Sequence, residues 1–443
     1  MQKVTGTLMS DNGNHTESAK ATAATAGPQG EAEESTDLQV GTTLQVTAER
    51  PAHGGETIGT TSAGVIFLDG ALPGDTVMAE VTQRKKSFSR GRVTSVLESG
   101  PYRGASRCAA ADAGAGCCDF HQVIPEREAE LKQLILEDQL RRVGKFTAGS
   151  EELPQIRIVS IDEQPGTRTR ARFGVGADGK AGVRRRHSTD VITERCSAID
   201  PRIYNEVEKH SFTPGAEVVC AVDSLGEVHV TETSRAPRGK RVKHSRRVVA
   251  GSPLVTEKVG DTTFVFPVTG FWQAHREVPE IFSTLIREAA SYAREDDGPA
   301  SEEEPLCGWD LYGGVGALAP ALVQALGGHN AEVISVDTTY VKDWQGSDNV
   351  SFARGDVAGT IPILPRPQFV VLDPPRTGAG FKTIGAIAAH KPHTVVHFGC
   401  DPATCARDLR SWVDYGYRVV ELNLVNAFPG SYHFETVAVL VAS

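Results

Sequence analysis

Residues 309–322 read WDLYGGVGALAPAL, and this stretch decides the fold of the C-terminal half of the chain. An apolar run leads into a turn that contains Gly313, Gly314 and Gly316, and a second apolar run of helical composition follows. Glycines in a strand-to-helix turn let the backbone approach a ligand closely. The spacing is G-G-x-G, whereas a dinucleotide-binding turn typically has G-x-G-x-x-G. The stretch therefore predicts a ligand-binding turn of another kind at the end of a buried strand.

Short apolar runs alternate with helical segments on both sides of this turn. After about residue 305 the runs are LCGWDLY (306–312), AEVISVD (331–337), PQFVVLD (367–373), HTVVHFGC (393–400), YRVVELNLV (417–425) and FETVAVLVA (434–442). This alternation is typical of an α/β fold with a doubly wound, Rossmann-like sheet.

Acidic residues stand at several of the predicted strand ends. Asp337 ends the second strand, where a carboxylate suits ribose hydroxyls. Asp310, just before the glycines, suits the cationic part of S-adenosylmethionine. Asp356 falls where a third strand would end and where an adenine would lie. The pattern favours S-adenosylmethionine over a dinucleotide.

The rest of the chain divides by composition into three further parts. Residues 1–42 are rich in Ala, Thr, Gly, Ser and Glu, and they predict a disordered tail. Residues 43–104 hold β-type runs separated by Gly and Pro, which predicts a small antiparallel β-barrel. Residues 105–250 hold a cysteine-containing loop, a helix over 126–143 and a β-rich remainder, so we expect a central domain before the α/β domain at 251–443.

The chain of 443 residues has a net charge of -10, which argues against unselective coating of nucleic acid. Its basic residues are nevertheless concentrated in short stretches of the sequence. They form three clusters of seven. The clusters are Arg84, Lys85, Lys86, Arg90, Arg92, Arg103 and Arg107; then Arg168, Arg170, Arg172, Lys180, Arg184, Arg185 and Arg186; then Arg235, Arg238, Lys240, Arg241, Lys243, Arg246 and Arg247. Only Glu98 and Asp178 are acids within these stretches, which favours a surface that binds nucleic-acid phosphates.

No feature of the sequence indicates a membrane or an export route. No apolar run reaches the roughly 18 residues that a membrane span needs, and the first 49 residues contain neither Arg nor an apolar signal core. We therefore expect a cytoplasmic protein whose eight cysteines are reduced.

Two residues suit chemistry on a pyrimidine base. Carbon 5 of a pyrimidine is a poor nucleophile, and an enzyme that methylates it first adds a thiolate to carbon 6. Cys400, at a predicted strand end, fits this role, whereas Cys405 lies in a predicted helix and is interpreted as structural. Glu435 begins the last strand and suits a general base that removes the carbon 5 proton. Arg376 stands where enzymes that methylate an exocyclic amine usually have an aromatic residue, so it argues against that reaction.

Four motifs in order resemble the RNA uracil-5-methyltransferase family, in particular its branch with an N-terminal TRAM domain. They are DLYGGVG (310–316), DPPRTG (373–378), CDPATCARDL (400–409) and FPGSYHFETV (428–437). The resemblance runs from about 43 to 443. It implies S-adenosylmethionine as the methyl donor, Cys400 as the nucleophile and Glu435 as the proton acceptor. The cofactor-binding residues that it implies are Gln273, Tyr312, Gly314, Gly316, Ala317, Asp337, Asp356 and Asp373.

The chain departs from the family pattern beside the nucleophile. The usual Ser-Cys-Asn-Pro reads Gly-Cys-Asp-Pro at 399–402, and His275 replaces an Asn. Asp401 beside the thiolate should raise the pKa of Cys400 unless the carboxylate is paired.

The resemblance also implies a [4Fe-4S] cluster on Cys108, Cys117, Cys118 and Cys196. The spacing here is C-x8-C-C, whereas the family usually has C-x5-C-x2-C. Thiolates suit such a cluster, but zinc and plain thiols stay open as alternatives.

We expect the substrate to be a uridine in structured RNA that is unstacked into the active site. By analogy with the same branch, 23S ribosomal RNA is preferred over tRNA as the partner, and a monomer is expected although the sequence leaves the oligomeric state open. The alternatives are a tRNA uridine-5 methyltransferase, a cytosine-5 RNA methyltransferase and an inactive RNA-binding or assembly factor. The cytosine alternative is weakened because DPPRTG lacks the Cys that those enzymes usually place beside the Pro.

Overall fold

The computed structural model describes residues 38–147, 152–159, 161–162, 164–234, 245–292, 305–339, 344 and 346–443. Most of the predicted tail, residues 1–37, lies outside these ranges. So do five members of the third basic cluster, namely Arg235, Arg238, Lys240, Arg241 and Lys243. Among the described residues, no helix combines the length and the apolar character needed to cross a membrane.

The N-terminal part forms the expected small barrel. Its strands are β1 (Thr43–Pro51), β2 (Thr57–Thr61), β3 (Gly64–Asp69), β4 (Thr76–Arg84) and β5 (Ser89–Glu98), closed in the order β1-β2-β3-β5-β4. Val46, Ile66, Leu68 and Val77 fill its interior. The barrel is antiparallel except that β3 and β5 run parallel, which corrects the expectation of an antiparallel barrel. A closed ring of five strands cannot alternate in direction at every position, so one pair must be parallel.

The middle of the chain builds a six-stranded sheet in the order β12-β11-β10-β7-β8-β9, and the hairpin β13-β14 follows it. The elements are α1 (Ala109–Asp112), α2 (Pro125–Arg142), β6 (Ile156–Val159), β7 (Arg170–Val175), β8 (Ala181–Arg184), β9 (Val191–Ile192), α3 (Pro201–Val207), β10 (Glu217–Val222), β11 (Val228–Thr233), β12 (Arg246–Ala250), β13 (Leu254–Val259) and β14 (Thr262–Pro267). Cys220 is buried in β10 and belongs to the apolar cluster of this sheet.

The C-terminal part is the doubly wound α/β sheet that the sequence predicts. Its elements are α4 (Val278–Ala289), a 3-10 turn (Ala290–Tyr292), β15 (Leu306–Leu311), α5 (Ala319–Ala325), β16 (Ala331–Asp337), β17 (Val350–Arg354), α6 (Val357–Thr360), a 3-10 turn (Ile361–Ile363), β18 (Phe369–Leu372), α7 (Phe381–Ala389), β19 (Thr394–Gly399), α8 (Pro402–Asp414), β20 (Tyr417–Val425) and β21 (Glu435–Ala442). The order is β17-β16-β15-β18-β19-β21-β20-β6, and β21 runs antiparallel to both of its neighbours. The chain winds outward in both directions from β15, and ligands of such sheets bind at this switch point.

Helices cover both faces of the large sheet. Along β19, Val395 points into the apolar layer under α2, α7 and α8, whereas Val396 and Phe398 point into the layer under α4 and α5. Because side chains alternate along a strand, burial on both faces explains the nearly continuous apolar runs in the sequence.

Two elements from residues 105–250 belong to this layered structure rather than to a separate central domain. Strand β6 pairs in parallel with β20, so that Ile158 lies opposite Leu424, and it forms the edge of the large sheet. Helix α2 packs with α8 in one apolar cluster through Leu131 and Ile135. The apolar stripe of α2 needs a partner surface, and the large sheet supplies it.

A buried ion pair attaches α2 to the chain between β20 and β21. The Lys132 Nζ donates to Glu128 Oε1 at 2.8 Å, and both side chains are almost fully buried. Lys132 also donates to Asn426 and to the Phe428 carbonyl, while Glu128 accepts from the Gly430 amide at 2.9 Å. Removal of either charged side chain would leave the other one buried without this ion pair.

We expect Lys132→Met to lower the free energy of unfolding by about 3 kcal/mol, the lower end for a broken buried pair, because Glu128 loses its buried cation and keeps the partly exposed Arg107 at 2.9 Å. Urea titration followed by circular dichroism measures the change, with Lys382→Met on the exposed side of α7 as the matched control. A loss below about 1 kcal/mol, the level of an exposed pair, would contradict the assignment.

Candidate active site and cysteine cluster

The candidate active site lies at the carboxyl edge of the large sheet. Tyr312, Asp373 and Cys400 each follow directly after a parallel strand, β15, β18 and β19 respectively. Strand β21 runs the other way, so its first residue, Glu435, lies at the same edge. Gly399 is paired with Thr436, which places Cys400 beside Glu435. The topology thus brings the two predicted reacting residues together.

Burial controls the charge of both reacting groups. Burial, and then the nearby carboxyls of Glu435 and Asp373, raise the pKa of the Cys400 thiol to about 12. Burial also raises the pKa of Glu435 well above its usual range, and Asp373 adds to this shift. Glu435 is 4% exposed, and its Oε2 has no hydrogen-bond partner within the described part of the chain. The charge of Arg376 opposes the rise in the pKa of both groups, and its guanidinium lies 3.3 Å from His433 Nδ1.

Gln273 and Asp373 are also brought together by the fold. Gln273 comes from the segment between the β13-β14 hairpin and α4, and its Nε2 donates to Asp373 Oδ2 at 3.4 Å. Burial, and then the charge of Asp310, raise the pKa of Asp373 to about 7. A half-buried amide beside a carboxyl that changes its charge near pH 7 offers both donors and acceptors to a polar ligand.

The glycine turn is held tightly against the first two strands of the α/β domain. Tyr312 has a φ of 63°, a left-handed conformation that a residue with a side chain rarely adopts. A Cβ at Gly313 would lie 2.3 Å from Asp310 Oδ2, so only glycine fits there. The Gly314 amide donates to Asp337 Oδ2 at 3.2 Å, and this hydrogen bond ties the turn to the end of β16.

Asp310 is a buried carboxyl beneath this turn. Ser335 Oγ donates to its Oδ2 at 2.8 Å, but its buried Oδ1 has no partner within the described residues. Burial, opposed by the hydrogen bond from Ser335, raises the pKa of Asp310 to about 7. An unpaired buried oxygen is costly, and it points to a ligand group that would satisfy it.

The other predicted cofactor residues occupy less central positions. Asp356 caps α6 by accepting from the Gly359 amide at 3.1 Å, and its charge contributes to a raised pKa at Tyr312. Ala317 packs with the apolar cluster that includes Phe264. A Cβ at Gly316 would lie 2.9 Å from the Phe352 ring, so the turn also approaches β17 closely.

Asp401 is expected to raise the pKa of Cys400 unless its carboxylate is paired, and the structure shows that the carboxylate is paired. Its Oδ1 accepts from the amides of Ala403 and Thr404 at the start of α8, and its Oδ2 lies 3.0 Å from His53 Nε2. Burial acts to raise the pKa of Asp401, but the hydrogen bond from His53 and those from the two amides lower it to about 2. His53 belongs to the barrel, and no sequence pattern indicated that it would reach this site.

The four predicted metal ligands form one cluster. Their sulfur atoms all lie within 4.8 Å of one another, with 3.9 Å between the sulfurs of Cys108 and Cys117 and 3.4 Å between those of Cys118 and Cys196. Three of the thiols are buried and Cys117 is half-buried. A closed set of thiol donors of this kind fits a bound metal.

Residues 108–120, which contain Cys108, Cys117 and Cys118 and are called the cysteine loop below, also contact the segment that leads to Glu435. The Phe120 amide donates to the Gly430 carbonyl at 2.9 Å, next to the Glu128 bond to the Gly430 amide. Arg186 pairs with Asp119 at 3.2 Å and with Asp69 of the barrel at 2.8 Å. The cysteine loop therefore lies against both the barrel and the chain that carries the proposed base.

Many members of the basic clusters form ion pairs with acids from elsewhere in the chain, which sequence proximity did not reveal. Arg103 pairs with Asp75, and Arg170 pairs with Glu257, in both cases out of solvent. Lys85, Lys86 and Lys180 are exposed and form no ion pair within the described residues. They are candidates for contacts with nucleic-acid phosphates.

Comparison with known proteins agrees with this architecture. A family model described as "TRAM domain" matches residues 37–94. The chain is 43% identical to an uncharacterized RNA methyltransferase of Corynebacterium glutamicum, over 91% of this chain and 98% of that protein. It is 30% identical to an uncharacterized RNA methyltransferase of Streptomyces coelicolor, over 90% and 93% of the two chains. The crystal structure of the Pyrococcus abyssi tRNA (uracil-54, C5)-methyltransferase with S-adenosyl-L-homocysteine matches with a TM-score of 0.61 and 18% identity, over 90% of this chain and 100% of that one, and it shares the fold.

The barrel and the doubly wound sheet thus define a methyltransferase fold joined to a TRAM domain. The chain belongs to the family of RNA methyltransferases that its Corynebacterium and Streptomyces relatives represent. It is an enzyme of RNA methylation, as the resemblance in the sequence implied.

The pKa of Asp310 gives a prediction for stability. Its pKa in the folded protein is about 7, above the unfolded value of about 4, so the folded state binds an additional proton and loses stability as the pH rises from about 4 to about 7. We expect Asp310→Asn to be more stable than the parent at pH 8, by up to about 4 kcal/mol, and to lose part of this pH dependence. Urea unfolding at pH 5 and pH 8 measures both effects.

Asp414→Asn at the exposed end of α8 is the control and should leave the pH dependence unchanged. An Asp310→Asn protein that is less stable than the parent at pH 8 would show that the carboxylate is stabilised in the fold.

Proposed function

We propose that the protein transfers a methyl group from S-adenosylmethionine to carbon 5 of a uridine in structured RNA, through a covalent bond between Cys400 and the base. The observation that carries this proposal is the pairing of a strand-end thiol with a buried carboxyl that has an unpaired oxygen, fixed by the β19–β21 register. A nucleophile and a base at adjacent positions are what carbon 5 methylation needs.

The glycine turn and the carboxyl edge form the proposed methyl-donor site. When bound, S-adenosylmethionine supplies an electrophilic methyl group. Asp337 at the end of β16 suits the ribose hydroxyls, and Asp310 and Asp373 suit the cationic part of the donor. Both carboxyls have a raised pKa, so a cation nearby would favour their charged forms.

Cys400 and Glu435 account for the bond to carbon 6 and for the removal of the carbon 5 proton in the proposed reaction. The Cys400 thiolate forms a bond to carbon 6, and the electron pair of the 5,6 double bond moves onto the base to give an enolate. Carbon 5 then forms a bond to the methyl carbon while the bond from that carbon to the donor's sulfonium sulfur breaks, so that S-adenosylhomocysteine is the leaving group. Glu435 removes the proton from carbon 5, the double bond reforms, and the carbon–sulfur bond breaks to release the thiolate.

The electrostatics of the site suit these steps. A high thiol pKa makes the thiolate rare but strongly nucleophilic, because nucleophilicity rises with pKa. A raised carboxyl pKa makes Glu435 a better proton acceptor once it is ionised. The charge of Arg376 lowers the pKa of both groups, so Arg376 would stabilise negative charge on the sulfur or on the base.

The RNA would be held by the barrel and by the exposed lysines, with the target uridine unstacked into the site. We propose 23S ribosomal RNA as the first candidate substrate, by analogy with the branch that the domain set resembles, and tRNA as the second. The charges that remain unpaired, such as those of Lys85 and Lys86, support phosphate contacts in either case.

Labelled methyl transfer to RNA from cells that lack this enzyme, followed by digestion to nucleosides, tests the proposal. We expect label in 5-methyluridine, no label with Cys400→Ala, and a covalent protein–RNA adduct with Glu435→Gln, because that variant can form the bond to carbon 6 but cannot remove the carbon 5 proton. The parent rate should rise with pH across the neutral range, because the thiolate fraction grows.

Cys307→Ala, which removes a thiol at the far end of β15, is the control and should retain transfer. Label in 5-methylcytidine would instead support a cytosine-5 enzyme. RNA binding without any transfer would support an RNA-binding or assembly factor.

We also propose that Cys108, Cys117, Cys118 and Cys196 bind a metal centre. The family resemblance implies a [4Fe-4S] cluster, in which each thiolate would ligate a different iron. A single tetrahedral ion is the second candidate, because thiolates around zinc lie about 3.8 Å apart, close to the sulfur separations of 3.9 and 3.4 Å in the cluster. In either case the centre would fix the loop that holds Gly430.

Metal analysis and visible absorption of protein purified under nitrogen separate these candidates. A coloured protein with about four irons indicates the cluster, and a colourless one with one zinc indicates the single ion. We expect Cys118→Ser to lose metal and to unfold at a lower temperature than the parent, with Cys307→Ala again as control. A parent protein that contains no metal and has the same melting temperature as Cys118→Ser would contradict both candidates and favour plain thiols.

A further inference from the structure

Asp401, the residue that departs from the family pattern beside the nucleophile, has two sets of partners. One carboxylate oxygen caps α8 through the amides of Ala403 and Thr404, at 3.1 and 3.0 Å. The other oxygen lies 3.0 Å from His53 Nε2, and the two side chains are 15% and 33% exposed respectively. Because Asp401 follows Cys400 directly, these bonds fix the turn that presents the thiol.

His53 reaches this turn from the barrel. It lies in the loop between β1 and β2, which also carries Gly55. The His53 ring contacts Tyr432 edge-on at 6.3 Å between centroids, and a Cβ at Gly55 would lie 2.8 Å from the same ring. Tyr432 in turn stacks on His433, two residues before Glu435. One barrel loop therefore contacts both segments that carry the reacting residues.

The charges around Cys400 explain why such a contact would matter. Glu435 and Asp373 face the thiol and oppose its ionisation, and Arg376 is the cation that favours it. Asp401 follows Cys400 directly in the chain, so an unpaired carboxylate there would add a further negative charge next to the residue that carries the thiol. The contact of His53 Nε2 with the second carboxylate oxygen, at 3.0 Å, offsets part of that charge, and besides Asp401 the groups that face the His53 ring are Tyr432 and the neutral His433.

We propose that His53 is a positioning residue through which the barrel holds Asp401 and keeps its negative charge from suppressing the Cys400 thiolate. This inference rests on the function proposed above, since it assigns the barrel a part in the chemistry besides RNA binding. The Asp401 and His53 pair would then replace the uncharged Asn that the family pattern has beside its nucleophile.

The test is a double-mutant cycle on methyl transfer. We expect His53→Ala to lower kcat at pH 7 by about tenfold, equivalent to a rise of about one unit in the thiol pKa, while KM for RNA changes by less than about twofold. The rise of kcat with pH should move to higher pH. Asp401→Asn keeps the helix cap and removes the charge, so it should stay near the parent.

The decisive variant is His53→Ala with Asp401→Asn. We expect its kcat to return to that of Asp401→Asn alone, because His53 has no charge left to offset. His329→Ala, an exposed histidine in the loop after α5, is the matched control. Melting temperatures of all variants separate this effect from a general loss of folding.

Each remaining outcome overturns the inference. The positioning role would be excluded if His53→Ala kept the parent kcat, or if it changed only KM for RNA. It would also be excluded if His53→Ala lowered kcat by the same factor in the Asp401→Asn background as in the parent. The comparison uses total methyl transfer, so label in another nucleotide would overturn the proposed uridine specificity and still test His53. A parent that transfers no methyl group to any RNA would overturn both.

Discussion

The register between β19 and β21 is the constraint on which the proposed chemistry depends. Gly399 lies opposite Thr436, and this pairing alone places Cys400 beside Glu435 although 34 positions separate them in the chain. A slip of one residue would turn every side chain of β21 to the other face of the sheet. The register is firmly specified because both faces are buried, with Val437 and Ala438 pointing into different apolar layers.

The carboxyl edge of the sheet stores unfavourable electrostatics. Asp310 and Glu435 are buried carboxyls and Asp373 is a half-buried one. All three have raised pKa values, and Asp310 and Glu435 each have an oxygen without a partner in the described structure. Such groups destabilise a fold, and active sites are where proteins tolerate them. Close packing of the surrounding backbone holds these carboxyls in place. At Asp310, for example, the turn packs so closely that only glycine fits at position 313.

Distant parts of the chain converge on the segment between β20 and β21. Glu128 of α2 and the Phe120 amide hold the two polar groups of Gly430, and the barrel loop packs on Tyr432. The segment leads directly into Glu435, so the helix, the cysteine loop and the barrel all act on the position of the proposed base. Domain boundaries drawn from composition miss this, because α2 and β6 join the large sheet from within the predicted central domain.

The sequence by itself determined the doubly wound sheet, the barrel and the glycine turn, because apolar periodicity and glycine spacing are local properties. It also determined that Cys400 and Glu435 stand at strand ends. The tertiary structure alone decided that Asp401 pairs with His53, that β3 and β5 run parallel, and that Arg103 and Arg170 serve buried ion pairs rather than an open phosphate surface. These contacts join residues far apart in the chain, and no local pattern of size, charge or spacing encodes which distant side chain will lie opposite.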